Sequence, residues 1–446
     1  MKEIIVVQVG QCGNQIGHKF WQNALEEFRA CKDKPSQETL SSFFRIVDDR
    51  GNPILKGQPT ENIQLKCRSL LIDTEERVLD RLYSSQMRHY FDDTLNVRAV
   101  SGAGNNWACG YFEYGDELLD QMKDKLRRSG GGTGAGLGSR LTEEMRYEYP
   151  EIHSFSSCVI PSSVDDVNVS PYNSLLTVNS ISQFTHGIFP IQNSALQWMV
   201  QKATEKAGKK TNMHVLGQQD SKDKEKMPYE AMNNIAARVL TDLTSSMRFG
   251  GSLNLDLNEI TTNFVPFEKA KFICTSISPL AQSSDRRQLV NLRPMFDEVF
   301  QKDNQLISAA PLMYQYLNCG LFARGESIDI SDMRREFKIG VSQIRMPWFN
   351  PNAFKVGVCS QPPPGVHHSL LCVANNTCVR LPLTDIIDRF GKLFKHRAFI
   401  HHFTEYGLSI DDIRHARDNL QDIVDFYGQL EKNEIPTHVE QSTPLF

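Results

Sequence analysis

The stretch Ser129-Gly130-Gly131-Gly132-Thr133-Gly134-Ala135-Gly136 decides how the rest of the chain is read. Three consecutive glycines, a hydroxyl and two further glycines make a loop with almost no side-chain bulk. Such a loop can turn its backbone N–H groups inward and let a phosphate approach closely. The residues that follow predict a helix over 137–147, so the loop would sit at a helix N-terminus, where the dipole also favours an anion. A flexible linker is the competing reading, because glycine runs are common in turns. A second glycine element far upstream weighs against it.

That element follows residues 3–9 (EIIVVQV), an unbroken β-branched run that predicts a strand buried on both faces of a parallel sheet. The run enters Gly10-Gln11-Cys12-Gly13-Asn14-Gln15, and a helix follows with Ile16, Phe20, Ala24, Leu25 and Phe28 near helical spacing. Strand, glycine turn and helix together form a phosphate-binding arrangement, with a plain strand-to-helix turn as the alternative. Residues 31–68 read as an extended loop holding one packed island, 41–47 (SSFFRIV). Residues 69–73 (SLLID) predict the next strand, which ends in Asp73-Thr74-Glu75-Glu76. Carboxylates there can hold Mg²⁺ in the ligand crevice of an α/β sheet, or can simply favour the first turn of a helix.

The pattern repeats downstream. A short strand over 97–100 leads to Ser101-Gly102-Ala103-Gly104-Asn105-Asn106-Trp107, where two amides can donate to phosphate or base. A helix is expected over 115–128. A strand over 155–161 precedes Asp165-Asp166, Ser170-Pro171-Tyr172-Asn173 opens a helix, and a strand over 187–191 runs into Gln192-Asn193. Repeated strand–loop–helix units predict a doubly wound, mostly parallel α/β sheet with its loops on one edge. Residues 202–227 are charged and read as an exposed loop. Residues 229–245 predict the strongest helix, with Met232, Ile235, Ala236, Val239, Leu240 and Leu243 on one face.

Composition bounds the rest. The chain has 446 residues, 40% hydrophobic and 23% charged, which suits a globular protein of two or three domains. A net charge of −4 argues against nucleic-acid binding driven by overall positive charge. Ten cysteines without a CxxC pair signal neither zinc nor a redox couple and fit a reducing compartment. The N-terminal run lacks the features of a signal peptide, and no stretch is apolar enough to span a bilayer, so no membrane is expected.

Farther on, Gly251-Ser252-Leu253-Asn254-Leu255-Asp256-Leu257-Asn258-Glu259 puts Asp256 and Glu259 three apart, on one face if helical. They read either as a carboxylate pair handling a water or as a capped helix start. Apolar runs at 270–278, 344–348, 354–359 and 369–374 predict a smaller α+β domain. Helices over 383–394 and 410–430 close the chain, the last offering a charged face to partners. The expected organisation is a nucleotide-binding α/β domain over 1–212, a charged loop and connecting helix over 213–248, an intermediate α+β domain over 249–382, and C-terminal helices with a polar tail over 383–446.

Read together, VVQVGQCGNQIG (6–17), GAGNNWACG (102–110), GGGTGAGLG (130–138), SPYNS (170–174), GSLNLDLNEI (251–260), NFVPF (263–267), ANNTCV (374–379) and KHRAFIHHFTEYGL (395–408) resemble the tubulin family over nearly the whole length. Within it the chain looks most like the epsilon branch. The resemblance implies a tubulin-like GTPase domain that takes GTP or GDP with Mg²⁺. It places Gln11, Cys12 and Gln15 at phosphate and base, Asp73 and Glu75 at Mg²⁺, and Asn105 with Ser129, Gly132, Thr133 and Gly134 at the phosphates. It places Asp166 at the ribose, and Asn193, Tyr229 and Asn233 at the guanine. It also makes Asn254, Asp256 and Glu259 a catalytic element that completes a neighbour's site, with Glu259 acting on water in trans. Hydrolysis would then need head-to-tail contact with another tubulin. The epsilon branch is associated with centrioles, basal bodies and their partner proteins in the cytoplasm. The alternative is a tubulin that binds partners without a working GTP cycle. A Rossmann dinucleotide enzyme is disfavoured, because no GxGxxG follows the first strand.

One departure from the family falls on the opening stretch. Tubulins carry an apolar strand between the preceding helix and the glycines, and here charged Lys123-Asp124-Lys125-Leu126-Arg127-Arg128 stands directly before Ser129. About a dozen residues or more, one strand plus its turn, are missing. Unless another segment fills the gap, the strands on either side lose a partner and the GTP site is compromised.

Overall fold

The computed structural model describes residues 3–31, 37–48, 64–99, 102–129, 135–161, 167–209, 213–215, 228–249, 256–283, 292–326, 328 and 330–432. The chain divides into two units, Met1–Glu148 with His401–Ser409, and Tyr149–Ile400 with Ile410–Phe446.

In the first unit, β1 (Val6–Val9) ends at Gly10, whose φ of +67° is left-handed and suits a residue without Cβ, and α1 (Gly10–Ala30) starts there. Helix α1 buries Ile16, Phe20, Ala24 and Leu25 of the predicted stripe, leaves Phe28 half-buried, and adds Trp21. The Trp21 ring lies edge-on to Phe43 and Phe44, at 6.4 and 5.4 Å. Those phenylalanines come from the 41–47 island. It folds as the end of α2 (Gln37–Phe43) and as β2 (Phe44–Val47), which pairs antiparallel with β3 (Gln64–Cys67) and not as a loop. Strands β4 (Ser69–Asp73) and β5 (Asn96–Arg98) complete a parallel sheet in the order β1-β4-β5, with α3 (Glu76–Tyr83) between them in sequence.

Helices α4 (Tyr114–Ser129) and α5 (Ala135–Glu148) follow, with a π-helical turn, Cys109–Glu113, leading into α4. The start of α5 lies against that turn. A Cβ on Gly136 would stand 2.1 Å from the Trp107 carbonyl oxygen and 2.8 Å from the Tyr111 nitrogen. Trp107 Nε1 donates to Ser139 Oγ at 3.2 Å across the same contact. The last glycine of the opening stretch therefore serves helix packing. Gly130–Gly134 lie outside the described residues.

The second unit opens with β6 (Phe155–Ile160), α6 (Ser170–Phe184), β7 (Gly187–Gln192) and α7 (Asn193–Lys209). Helix α7 carries residues 202–209, so part of the charged stretch read as a loop is a solvated helix face. Next come β8 (Met213–Val215), α8 (Pro228–Leu243), α9 (Ser245–Arg248), α10 (Leu257–Phe264), β9 (Cys274–Ser278), β10 (Ala281–Ser283) and α11 (Arg293–Val299). Then follow β11 (Tyr316–Gly325), α12 (Ile330–Val341), β12 (Phe354–Cys359), β13 (His368–Asn376), α13 (Arg380–Lys395), α14 (Ile400–Thr404) at the boundary of the units, and α15 (Ile410–Glu431).

A four-stranded sheet, β12-β11-β13-β9, forms the body of this unit. Its central strand β11 is buried throughout and escapes the sequence reading, because YLNCGLFARG is interrupted by Asn318, Gly320 and Arg324. Both polar side chains find an internal partner: Asn318 Oδ1 accepts from Asn375 N at 2.9 Å, and Arg324 Nη1 meets Asp242 Oδ1 at 2.6 Å. Residues 344–348, expected as a strand, contribute only an isolated bridge between Arg345 and Gln315. Helix α15 packs Ile413, Ala416, Leu420 and Tyr427 inward and leaves its charged face exposed.

The parallel sheet comes in two pieces. Among the described residues β1 pairs only with β4, and β6 pairs only with β7. Strand β1 is accordingly half-buried, against the expectation of burial on both faces, whereas β4 is buried at every residue. Ser157 in β6 is exposed, whereas β7 is buried throughout. On its other side β7 is bonded: Ile188 N donates to Lys271 O at 2.9 Å and Ile273 N to Ile188 O at 2.8 Å. Strand β5, at the other edge of its sheet, likewise pairs only with β4 among the described residues.

Gly136→Ala is expected to destabilise the protein by about 1–3 kcal/mol, because the added methyl meets backbone atoms that cannot swing away. Urea unfolding of the full chain checks this, and an unchanged midpoint would show that α5 does not sit this close to Trp107.

Candidate functional site

The first unit gathers its candidate residues at the carboxyl ends of β1, β4 and β5, the edge where open α/β sheets bind ligands. Helix α1 begins there with no side-chain cap and no acid in its first turn. Its leading N–H groups and dipole are thus arranged for an anion. Gln11 and Cys12 on this turn are exposed and Gln15 is half-buried.

Asn14 organises the turn and was missed as a site residue from sequence. It is fully buried, and its Nδ2 donates to Gly10 O and Ile72 O, both at 3.0 Å, and lies 3.4 Å from Asp73 Oδ2. One amide thereby ties the glycine turn to the end of β4. The available signal was an amide on the buried stripe Asn14, Gly17, Trp21 and Ala24. Asn14 Oδ1 is buried with no hydrogen-bond partner among the described residues.

Asp73 is 5% exposed and its Oδ1 accepts from Glu75 N at 3.1 Å. Burial pushes its carboxyl above the usual aspartate range, opposed by its hydrogen bonds from Glu75 and Asn14. Glu75 is exposed, and a Cβ on Gly102 would stand 3.0 Å from its Oε1. The loop after β5 closes as a tight turn, with Asn106 N donating to Ala103 O at 2.9 Å and Gly104 and Asn105 both left-handed, at φ +56° and +57°. Asn105 is exposed on this turn. Asn106 is structural: its Nδ2 donates to His402 O at 2.7 Å and its Oδ1 accepts from Ala108 N at 2.9 Å.

These groups suit a phosphate and a hard cation. A buried carboxylate, an exposed carboxylate and an unpartnered amide oxygen are oxygen donors of the kind Mg²⁺ takes. No cluster of three or more His, Cys, Asp or Glu side chains converges among the described residues. Mg²⁺ commonly binds through one or two carboxylates plus substrate phosphates.

The remaining predicted residues are distributed differently. Ser129 is the final residue of α4. Gly132, Thr133, Gly134, Asp166 and Asn254 lie outside the described residues. In the second unit, Asn193 begins α7, and Tyr229 and Asn233 stand one turn apart on α8, which packs beside α7. Tyr229 is 60% exposed, an open ring face for an apolar or aromatic ligand.

The acidic pair lies on α10. Asp256 is its N-cap: Oδ1 accepts from Asn258 N at 2.6 Å and Glu259 N at 3.2 Å. Its carboxylate is thus engaged in the capped helix start. Glu259 points elsewhere, with Oε2 2.8 Å from Lys355 Nζ on β12. Among the described residues no helix is long and apolar enough to cross a membrane.

Comparison with known proteins gives the family. Residues 3–130 and 128–201 match the GTPase domain of the Tubulin/FtsZ family, in two stretches that meet at residues 128–130, and residues 269–387 match the Tubulin C-terminal domain. The Tubulin epsilon chain of Mus musculus is 38% identical over 466 aligned positions, covering 97% of this chain and 96% of that protein. The Tubulin epsilon chain of Homo sapiens matches to the same extent. The Tubulin beta-2 chain of Suillus bovinus is 30% identical over 459 positions, covering 97% and 96%.

Asp73 yields a pH prediction. A carboxyl with a raised folded pKa binds its proton more tightly folded than unfolded, so it lowers stability as pH rises from the unfolded pKa through the folded one. Asp73→Asn should therefore raise the melting temperature of the nucleotide-free protein near neutral pH. The gain should shrink as pH falls toward about 4, where a free aspartate titrates. Melting curves across that range check it, and a gain that grows on acidification would reverse the sign.

Proposed function

The chain belongs to the tubulin family, and on that premise we propose that it is a GTP-binding tubulin of the epsilon type acting in the organisation of centrioles and basal bodies. The observation that carries the nucleotide reading is the uncapped β1–Gly10–α1 turn held to the buried Asp73 by Asn14. Gln11, Cys12 and Gln15 face phosphate and base, while Asn105 and the Ser129, Gly132, Thr133 and Gly134 loop donate to phosphate oxygens. Asp73 and Glu75 hold Mg²⁺, which when bound offsets phosphate charge. Asp166 takes the ribose, and Asn193, Tyr229 and Asn233 keep the guanine-facing roles of the family pattern.

Hydrolysis is completed by a neighbour. Asn254, Asp256 and Glu259 present themselves to the nucleotide of the adjoining tubulin, with Asp256 fixing the first turn of α10 and Glu259 orienting or deprotonating the attacking water. A contact of this head-to-tail kind builds open filaments. The partners are other tubulins and centriolar proteins.

A second reading, a structural tubulin without a working GTP cycle, is favoured by one observation: β1 and β6 each have a single strand partner among the described residues. Natively purified protein, extracted and analysed for nucleotide, separates the two. The GTP reading expects close to one guanine nucleotide per chain, released faster when EDTA removes Mg²⁺. Protein that carries no guanine nucleotide and takes up none would establish the second reading.

A further inference from the structure

We propose that Lys355 is the positioning residue for Glu259, holding its carboxylate in the orientation it needs when a neighbouring tubulin docks. The proposal rests on the trans-acting role given to Glu259 above. Lys355 Nζ lies 2.8 Å from Glu259 Oε2, with the two side chains 36% and 43% exposed. An ion pair between two side chains this exposed contributes little to stability, and orientation is what it can supply.

The scaffold around the pair is rigid. Lys355 sits on β12 directly opposite Gly320 of β11 in parallel register. Gly320 is also where α10 packs: a Cβ there would stand 2.4 Å from Phe264 Cζ, at the far end of the helix that carries Glu259. Phe264 is buried, and its carbonyl accepts from Asn375 Nδ2 at 2.9 Å. One backbone position therefore sets the height of both the strand bearing the lysine and the helix bearing the glutamate. Asp256 fixes the other end of that helix through its N-cap bonds. The two side chains meet across backbones that are already fixed, so less conformational freedom is lost in holding the carboxylate at one angle. A misplaced catalytic group can cost about a hundredfold in rate, so small errors in that angle matter.

The test is GTP hydrolysis per assembled subunit by the full chain, alone and mixed with other tubulins. Lys355→Met should lower the rate about tenfold or more, with nucleotide retention and unfolding midpoint unchanged. Lys355→Arg should restore it to within a few fold, because the charge and reach are kept. Lys355→Met added to Glu259→Gln should lower the rate no further than Glu259→Gln alone, the signature of two residues acting as one. If Lys355→Met fails to assemble, an equal mixture with the wild-type chain supplies the filament, and the rate should fall by about half. Wild-type rates for Lys355→Met beside an inactive Glu259→Gln would overturn the role of Lys355 and leave the trans reading standing. Wild-type rates for Glu259→Gln, or no concentration-dependent hydrolysis by the wild-type chain, would overturn the trans reading and the role of Lys355 with it.

Discussion

A strand inside a parallel sheet bonds its N–H and C=O groups to a neighbour on each side, and this requirement governs the architecture here. Between α4 and α5 the chain passes directly from a charged helix into the glycine loop. Among the described residues β1 and β6 are each bonded to a strand on one side only. The burial of the strands follows: β4 and β7, bonded on both sides, are buried throughout, and β1 and β6 are not. The glycine-rich stretch follows α4, which ends at Ser129, in sequence. Its last glycine, Gly136, is committed to bringing α5 against the backbone of Trp107 and Tyr111.

The first unit offers a turn whose local geometry suits an anion. Gly10 turns the chain, α1 starts without a cap, and the Asn14 amide holds that start to β4. Asp73 is buried at some electrostatic cost, shown by its raised carboxyl pKa. Nearby oxygen donors give that cost a use, since a cation offsets buried negative charge. On the loop after β5, Asn106 is bonded into the fold and Asn105 is exposed beside it.

The second unit is held by polar pairs that a reading for apolar runs passes over. Asp242 of α8 receives Arg324 from β11 at 2.6 Å and Ser369 Oγ from β13 at 2.6 Å, all three buried. The helix that carries Tyr229 and Asn233 is thereby fixed to two strands of the sheet. On the same sheet, Gly320 sets the approach of both α10 and β12. Buried charge of this kind is tolerable only where each member finds a partner, and here the partners come from three separate elements.

The sequence by itself determined the elements with strong period or punctuation. The β-branched run before Gly10, the apolar stripes of α1 and α8, and the ordered motifs of the tubulin family are local properties that need no fold to be read. The missing strand was equally legible, because a charged helix stands where an apolar run belongs. Tertiary structure alone decided the rest. It made β11 the central strand although Asn318, Gly320 and Arg324 break its pattern, since their partners lie 57, 82 or more residues away or, for Gly320, across a helix. It reduced 344–348 to a single bridge and gave Asp256 to a helix cap. It also set Lys355 against Glu259, a pairing that sequence spacing cannot show because it is made only when α10 and β12 meet on β11.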